Sequence, residues 1–141
     1  MNKLFERALT QYGVKEISGQ EHEPQVLKYF DEAGHSWVDD DETPWCSAFI
    51  NWCCMKEGLP MSEKLNARSW LDVGDPVDIK DAKIGDIVIF WRMSPHSLYG
   101  HVALYANEIN GNIFVLGGNQ KNSVCIQGYD KGRLLGVRRV G

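Results

Sequence analysis

The sequence lacks a surplus of basic residues, a long apolar run and a dense set of cysteines. Its 15 Lys and Arg are outnumbered by 19 Asp and Glu, and the formal net charge is −4. That balance does not indicate a positively charged surface for nucleic acid or for an anionic membrane, so we expect neither as a partner. No stretch approaches the ~18 apolar residues of a membrane span. The N-terminus carries Lys3, Glu6 and Arg7 where a signal peptide has its apolar core, which predicts synthesis in the cytoplasm without such a signal.

Cysteines, repeats and linkers are also scarce. The four cysteines (46, 53, 54 and 125) are too few for a disulfide framework, and we expect most of them to be free thiols. Neither an internal repeat nor a linker is apparent in the sequence. Hydrophobic residues make up 43% and charged residues 24% of the chain, which is typical of globular proteins. We therefore expect residues 1–141 to form a single domain.

Helical patterns occupy the first half of the chain. Apolar residues beginning at Leu4 recur at helical spacing up to Gly13, where the first predicted helix stops. A second helix is predicted from Pro24, a favoured first-turn residue, to the residue before Gly34. A short helical segment is predicted around Asn66–Leu71.

The third predicted helix is the most apolar segment of this half. Thr43 is a suitable N-cap, Pro44 suits the first helical position, and Gly58 is a suitable C-terminal glycine. Apolar residues cover nearly the whole circumference between these ends. A helix that is apolar all round is buried, so we expect this one to be the central helix of the domain.

The pattern of the second half predicts β-strands separated by glycines. The predicted strands are Asp86–Arg92, His101–Ile109, Asn112–Leu116, Ser123–Gln127 and Leu134–Val140. Asn110-Gly111 predicts a type I′ hairpin turn, because that turn needs positive φ at both central residues. Helices followed by an antiparallel sheet indicate an α+β fold.

Cys46 is the best candidate for a nucleophile. It is about the third residue of the predicted central helix, near unpaired backbone N–H groups and the positive end of the helix dipole. Such a position is expected to lower a thiol pKa, and the thiolate is the nucleophilic form. For Cys53, Cys54 and Cys125 the ordinary interpretation as core residues is preferred.

A nucleophilic thiol needs a base, and His101 is the best candidate. It opens an apolar strand directly after Gly100, so its side chain can project at the end of a sheet. As a neutral imidazole it could accept the thiol proton and later protonate a leaving amine. His22, His35 and His96 lie in segments that we expect at the surface.

The imidazole in turn needs a polar group that fixes its tautomer. Asn119 and Gln120 follow Gly117-Gly118, just past the strand expected to pair with the His101 strand. We prefer Asn119 and keep Gln120 as the alternative.

Metal sites are disfavoured. Cys46, Cys53, Cys54 and His101 could be offered as zinc ligands, but the sequence contains no C-x-x-C or H-E-x-x-H motif. Cys46 and Cys53 would also lie ~10 Å apart along a helix axis. The acidic run at 39–42 lacks the spacing of an EF-hand calcium loop. We expect no metal and no other cofactor.

Several blocks, taken in order, resemble a known family. They are Asp-Glu-Thr-Pro-Trp-Cys-Ser-Ala-Phe-Ile-Asn-Trp-Cys (41–53), Ala-Arg-Ser-Trp-Leu (67–71), Gly-Asp-Ile-Val-Ile-Phe (85–90), Gly-His-Val-Ala-Leu-Tyr (100–105) and Leu-Gly-Gly-Asn-Gln-Lys-Asn-Ser-Val (116–124). From roughly residue 25 onward the chain resembles a bacterial and phage branch of the CHAP and NlpC-like amidohydrolases, papain-fold enzymes that cut peptidoglycan.

The resemblance implies a papain-like fold in which N-terminal helices and the helix carrying Cys46 pack on a C-terminal antiparallel sheet. It implies Cys46 as the nucleophile, His101 as the base and a third polar group, which we place at Asn119. Some CHAP enzymes carry a Glu just before that Asn and a calcium loop before the Cys. This sequence departs from both patterns, at Gly118 and in the acidic run at 39–42.

The implied reaction is hydrolysis of an amide through a thioester, with the oxyanion held by backbone N–H groups at the helix start, including that of Cys46. The implied substrate is the peptidoglycan stem peptide or the amide joining it to the glycan. The enzyme would then be an endopeptidase or an N-acetylmuramoyl-L-alanine amidase. Trp45, Trp91 and Tyr99 are expected to line the substrate groove.

A hydrolase of this kind would act in the periplasm or cell wall. We expect release through a lysis pore, as for an endolysin, or through a secretion system, as for an antibacterial effector that would need an immunity or inhibitor protein. An acyltransferase and a protein-directed cysteine peptidase are alternatives on the same scaffold. A catalytically inactive wall-binding module is a further alternative, which the presence of both Cys46 and His101 disfavours.

Overall fold

The computed structural model describes residues 2–15, 24–34, 45–97 and 99–141. The helices are α1 (Lys3–Leu9), α2 (Pro24–Glu32) and α3 (Cys46–Glu57), with short 3-10 helices at Ala67–Asp72, Ile79–Asp81 and Lys131–Arg133. The strands are β1 (Asp75–Val77), β2 (Ile87–Trp91), β3 (Gly100–Ile109), β4 (Asn112–Gln120), β5 (Ser123–Asp130) and β6 (Leu134–Arg139). No helix among the described residues is long and apolar enough to cross a bilayer.

The six strands form one antiparallel sheet in the order β1-β6-β2-β3-β4-β5. Successive side chains of a strand point to opposite faces, and the two faces carry separate apolar clusters. Val102 and Leu104 of β3 belong to the cluster that includes the helices, whereas Ala103 belongs to the cluster on the other face. The fold is therefore a helical layer on one face of a sheet, as the α+β prediction requires.

The helix α3 lies in the centre of the helical layer. Its first nine residues are all buried, including the polar residues Ser47 and Asn51. These two side chains share the carbonyl oxygen of Lys64 as acceptor, at 2.6 and 3.0 Å, so burial does not leave them unpaired. The helix ends at Gly58 with a left-handed φ of 66°, as its sequence predicts.

Several element boundaries differ from the sequence predictions. The helix α1 ends at Leu9, and the chain then turns to Gly13, whose N–H donates to the carbonyl of Val124 at 2.9 Å. The strand β4 continues through Gly117-Gly118 to Gln120, although glycines usually interrupt strands. The strand β1 was not predicted, because its three residues are mostly exposed and include Pro76, which is tolerated at a sheet edge.

Candidate active site

Cys46 is the first residue of α3 rather than the third. Trp45 is the N-cap residue, and its carbonyl oxygen accepts the N–H of Phe49 at 2.9 Å. The helix therefore begins later than the predicted start at Thr43 and Pro44, which lie outside the described residues. The N–H groups of Cys46 and Ser47 belong to the first turn and have no carbonyl partner within the helix.

The thiol of Cys46 lies against the start of β3. The backbone N–H groups of Val102, next in the chain to His101, and of Ser47 and Cys46 favour the thiolate form of this sulfur. Cys46 is only 6% exposed, and burial raises the pKa of its thiol although these N–H groups and the charge of Arg92 oppose the rise. The expected lowering of the pKa by the helix start is wrong, because desolvation outweighs it.

His101 stands at the same end of β3, opposite Phe90 of β2. The imidazole is 3% exposed and stacks on Tyr129, with ring centroids 5.0 Å apart. Burial, together with the charges of Arg92 and Arg133, lowers the pKa of His101 to about 4, although the hydrogen bond to Gln120 opposes this shift. At neutral pH the imidazole is therefore uncharged and able to accept a proton.

Gln120 fixes the tautomer of this imidazole. Its Nε2 donates to the carbonyl oxygens of Val115 and Cys125, at 3.2 and 2.7 Å, which determines the orientation of the amide. Its Oε1 consequently faces Nε2 of His101 at 2.9 Å and can only accept. The imidazole proton must then lie on Nε2, so that Nδ1 keeps the lone pair a base requires.

The group at the imidazole is therefore Gln120 and not the preferred Asn119. Strict alternation along β4 would place residue 119 on the same face as Gly117. A bulge interrupts the pairing with β5 between Gly117 and Gln120, and Asn119 adopts a left-handed φ of 58° within it. Because of this extra residue, the side chain that points toward His101 is that of residue 120 and not that of residue 119. Asn119 lines the cavity beside His101 without a hydrogen bond to the imidazole within the described part of the chain.

Two cavities adjoin the site, and Arg92 lines both of them. The first, of about 230 Å³, contains His101 and is lined by Phe90, Trp91, Arg92, Asn119, Gln120, Lys121, Gln127, Tyr129 and Arg133. The second, of about 300 Å³, contains Cys46 and is lined by Leu65, Asn66, Ala67, Arg92, Tyr99 and Gly100. Trp91 and Tyr99 thus lie at the two cavities.

Trp45 does not line a groove. Its side chain is fully buried, with its ring 5.9 Å from that of Tyr29 and 6.5 Å from that of Phe49. The ring also covers Gly118, where an added Cβ would lie 2.6 Å from Cζ3 of the indole. The expected substrate contact is wrong, because the residue before Cys46 is needed to pack α3 onto β4. The same contact leaves no room for a Glu at position 118.

Of the remaining cysteines, the half-buried Cys125 contacts Gln120, with its sulfur donating to the Gln120 carbonyl oxygen at 3.4 Å, whereas Cys53 and Cys54 belong to the helical core. Burial raises the pKa of Cys53 well above its usual range and that of Cys54 to about 12, so both are protonated core residues. His96 is exposed, whereas His22, His35 and the acidic run at 39–42 lie outside the described residues. Among the residues that the structure describes, no group of three or more His, Cys, Asp and Glu side chains could hold a metal ion.

Comparison with known proteins agrees with this geometry. The family model described as CHAP domain matches residues 38–119, more than half of the chain. No curated protein matches the sequence.

Solved structures with the same fold come from the NlpC/P60 group. One is a Staphylococcus aureus protein described as similar to lipoprotein, NLP/P60 family (TM-score 0.56, 21% identity, 98% of this chain, 40% of that chain). Another is the P60 domain of a Mycobacterium avium paratuberculosis antigen (TM-score 0.56, 16% identity, 99% and 91%). A third is the peptidoglycan hydrolase RipB from Mycobacterium tuberculosis (TM-score 0.59, 21% identity, 97% and 62%). The chain spans less than two thirds of the first and third of these, and the likeness confirms the fold class.

Proposed function

The chain belongs to the CHAP-domain family, and on that premise we propose that it is a peptidoglycan hydrolase that cleaves an amide bond through a thioester on Cys46. The observation that carries the proposal is the arrangement of His101. Gln120 holds the imidazole proton on Nε2 and leaves Nδ1 free to act as the base. The effect of the Val102 N–H on the Cys46 thiol supports a position of the sulfur at the same end of β3.

The first half of the reaction forms the thioester. As the sulfur of Cys46 attacks the amide carbon, its proton passes to Nδ1 of His101, because the thiol is protonated and the imidazole is neutral in the resting enzyme. The N–H of Cys46 stabilises the oxyanion. The C–N bond then breaks, and the imidazolium returns its proton to the leaving amine.

The second half hydrolyses the thioester. Water attacks the thioester carbon while Nδ1 of His101 takes one of its protons. The C–S bond breaks, the carboxylic product leaves, and the proton returns to the sulfur. Throughout both halves Oε1 of Gln120 accepts the Nε2–H, a hydrogen bond that strengthens when the ring carries a positive charge.

The proposal extends to the organisation and place of action of the protein. Residues 1–141 form one catalytic domain, which acts as an endopeptidase or an N-acetylmuramoyl-L-alanine amidase in the periplasm or cell wall. Release occurs through a lysis pore or a secretion system. In the second case an immunity protein protects the producing cell. The hydrolase named among the similar structures supports peptidoglycan as the substrate.

Hydrolysis of purified sacculi, followed by mass spectrometry of the fragments, tests the proposal. Cys46→Ala and His101→Gln should each abolish fragment release, with the thermal midpoint of Cys46→Ala close to that of the wild type. His96→Gln is the matched control, because His96 is exposed and lines neither cavity, and it should keep full activity. A cut within the stem identifies an endopeptidase, and a glycan-free alanine terminus identifies an amidase. Fragment release by Cys46→Ala would refute the proposal.

A further inference from the structure

The described part of the cavity wall beside His101 carries three cationic side chains and no carboxylate. The cationic side chains are Arg92, Lys121 and Arg133. The chain as a whole has a net charge of −4, so the charge on the wall of this cavity is opposite in sign to that of the whole chain. Clefts lined by charge of one sign concentrate ligands of the opposite sign.

Among the described residues, these three cations are not paired with acidic side chains. Four other cations are paired with carboxylates, as in the Arg139–Asp86 contact at 2.7 Å and the Lys131–Glu108 contact at 3.1 Å. Within the described ranges no carboxylate forms an ion pair with Arg92, Lys121 or Arg133.

The Arg133 side chain is held in place without neutralisation. Its Nε donates to the carbonyl oxygen of Trp91 at 3.2 Å, and its guanidinium lies 5.1 Å from the centre of the Trp91 ring. These contacts orient the group, and no hydrogen bond to a described residue engages the terminal nitrogens. A guanidinium held in this way is well suited to bind a carboxylate through two parallel hydrogen bonds.

Gln127, on the same wall, gives a second and independent indication of what the ligand must carry. Its Oε1 is buried and has no hydrogen-bond partner in the part of the chain that the structure describes. A buried acceptor without a donor costs free energy, and a ligand that brings an N–H group would satisfy it. Cations and an unpaired amide oxygen together match a carboxylate with an amide or amine N–H nearby, as in an amino acid or a short peptide.

We propose that this cavity binds a free carboxylate on the leaving portion of the substrate, through Arg92, Lys121 and Arg133, with Gln127 accepting an N–H of the same portion. The proposal rests on the proposed function and adds the chemical class of the substrate. The leaving amine must approach His101 to receive its proton, so the groups attached to that amine lie on the His101 side. The cavity beside Cys46, with Leu65, Ala67 and Tyr99 on its wall, is left for the acyl portion.

Paired peptides test this assignment. Each pair contains the bond identified in the sacculus digest and differs only in carrying a carboxylate or a carboxamide on the leaving portion. The wild type should cleave the carboxylate peptide with a kcat/KM roughly 10- to 100-fold higher, mainly through KM. In the double variant Arg92→Gln/Arg133→Gln the ratio should fall to about one. Lys80→Gln, an exposed site away from both cavities, is the control and should keep the wild-type ratio.

A binding measurement decides the question independently of turnover. Cys46→Ala is titrated with N-acetyl-alanyl-alanine and with its carboxamide, and the arginine Nε–H and Gln127 side-chain amide signals are followed by NMR. The acid should shift the signals of Arg92, Arg133 and Gln127, whereas the carboxamide should not. Equal shifts with both probes, or none with either, would overturn the carboxylate site, and so would equal cleavage of the paired peptides. If the sacculi stay intact but the acid shifts the NMR signals as expected, only the proposed hydrolase activity is refuted.

Discussion

At the scale of single residues, an amide group controls which nitrogen of His101 can act as a base. Gln120 has two carbonyl acceptors for its Nε2, so its oxygen has to face the imidazole. A carboxylate in place of this amide would put an oxygen that cannot donate against the carbonyl oxygens of Val115 and Cys125. The neutral amide therefore suits a buried site whose imidazole is itself neutral at rest.

Gln120→Ala should lower kcat/KM by roughly 10- to 150-fold, the effect of losing one hydrogen bond to a group that becomes charged. Because the hydrogen bond that His101 donates to Gln120 raises the pKa of His101, its removal should also move the acid limb of the pH profile to lower pH. A residue that only supported the fold would not shift that limb. A pH series of kcat/KM measures both effects.

Asn119→Gly provides the comparison for this variant. Glycine tolerates the left-handed φ of 58° at position 119, so the bulge should persist and kcat/KM should change by about threefold or less. A larger loss in Asn119→Gly than in Gln120→Ala would show that Asn119 is the orienting group after all.

At the scale of secondary-structure elements, the site depends on close contact between the N-cap of α3 and the bulged end of β4. The Trp45 ring lies directly on Gly118, and Phe49 Cβ would be 2.9 Å from a Cβ added there. Since Trp45 is fully buried, it has little freedom to move away. This contact sets the distance between the helix that carries Cys46 and the strand that carries Gln120.

Gly118→Ala should therefore destabilise the protein by about 1–3 kcal/mol, the usual cost of overpacking a core, and should lower activity by displacing Cys46. Urea unfolding measures the first effect and sacculus hydrolysis the second. In a Trp45→Phe background the added methyl has more room, so the cost of the substitution should be smaller. Gly132→Ala is the matched control, because the nearest atom to its added Cβ is 3.2 Å away on an exposed side chain. Equal costs for Gly118→Ala in both backgrounds would exclude the indole as the obstacle.

At the scale of the whole molecule, the two groups proposed to react come from different layers. Cys46 belongs to the helical cluster, whereas His101 lies on the other face of the sheet beside Phe90 and Tyr129. The backbone N–H of Val102, next in the chain to His101, lowers the pKa of the Cys46 thiol, so the sulfur lies near the start of β3. Because the imidazole is buried, its protonation changes the free energy of unfolding of the whole protein.

His101 should make the protein less stable in mild acid. Its pKa is about 4 in the folded protein and about 6.5 in the unfolded chain, so the unfolded chain binds more protons between these values. The stabilising contribution is complete above about pH 6.5. It is lost as the pH falls through the folded pKa, and it amounts to about 3 kcal/mol.

Denaturant unfolding at several pH values between 4 and 7 measures this contribution. The decline should be smaller in His101→Gln by about the same amount, whereas His96→Gln should follow the wild type. An identical pH dependence in His101→Gln and the wild type would mean that the imidazole does not titrate with folding.

The sequence alone determined the features that depend on local patterns. The all-round apolarity of the central helix predicted its burial, and alternation with turn residues predicted most of the sheet. The ordered blocks around Cys46 and His101 predicted the family, which the match over residues 38–119 confirms. The first two signals are carried by neighbours within a helical turn or along one strand, and the third by the order of short blocks along the chain, so none of them requires knowledge of a distant contact.

Only the tertiary structure decided the features that depend on distant contacts. The bulge that exchanges Asn119 for Gln120 exists because β4 pairs with β5 on either side of it. Trp45 became a core residue because Gly118 leaves space for its ring, and desolvation by the packed layers reversed the expected pKa shift of Cys46. Register, burial and dielectric environment arise from residues far apart in the chain, which is why no pattern within a single segment could reveal them.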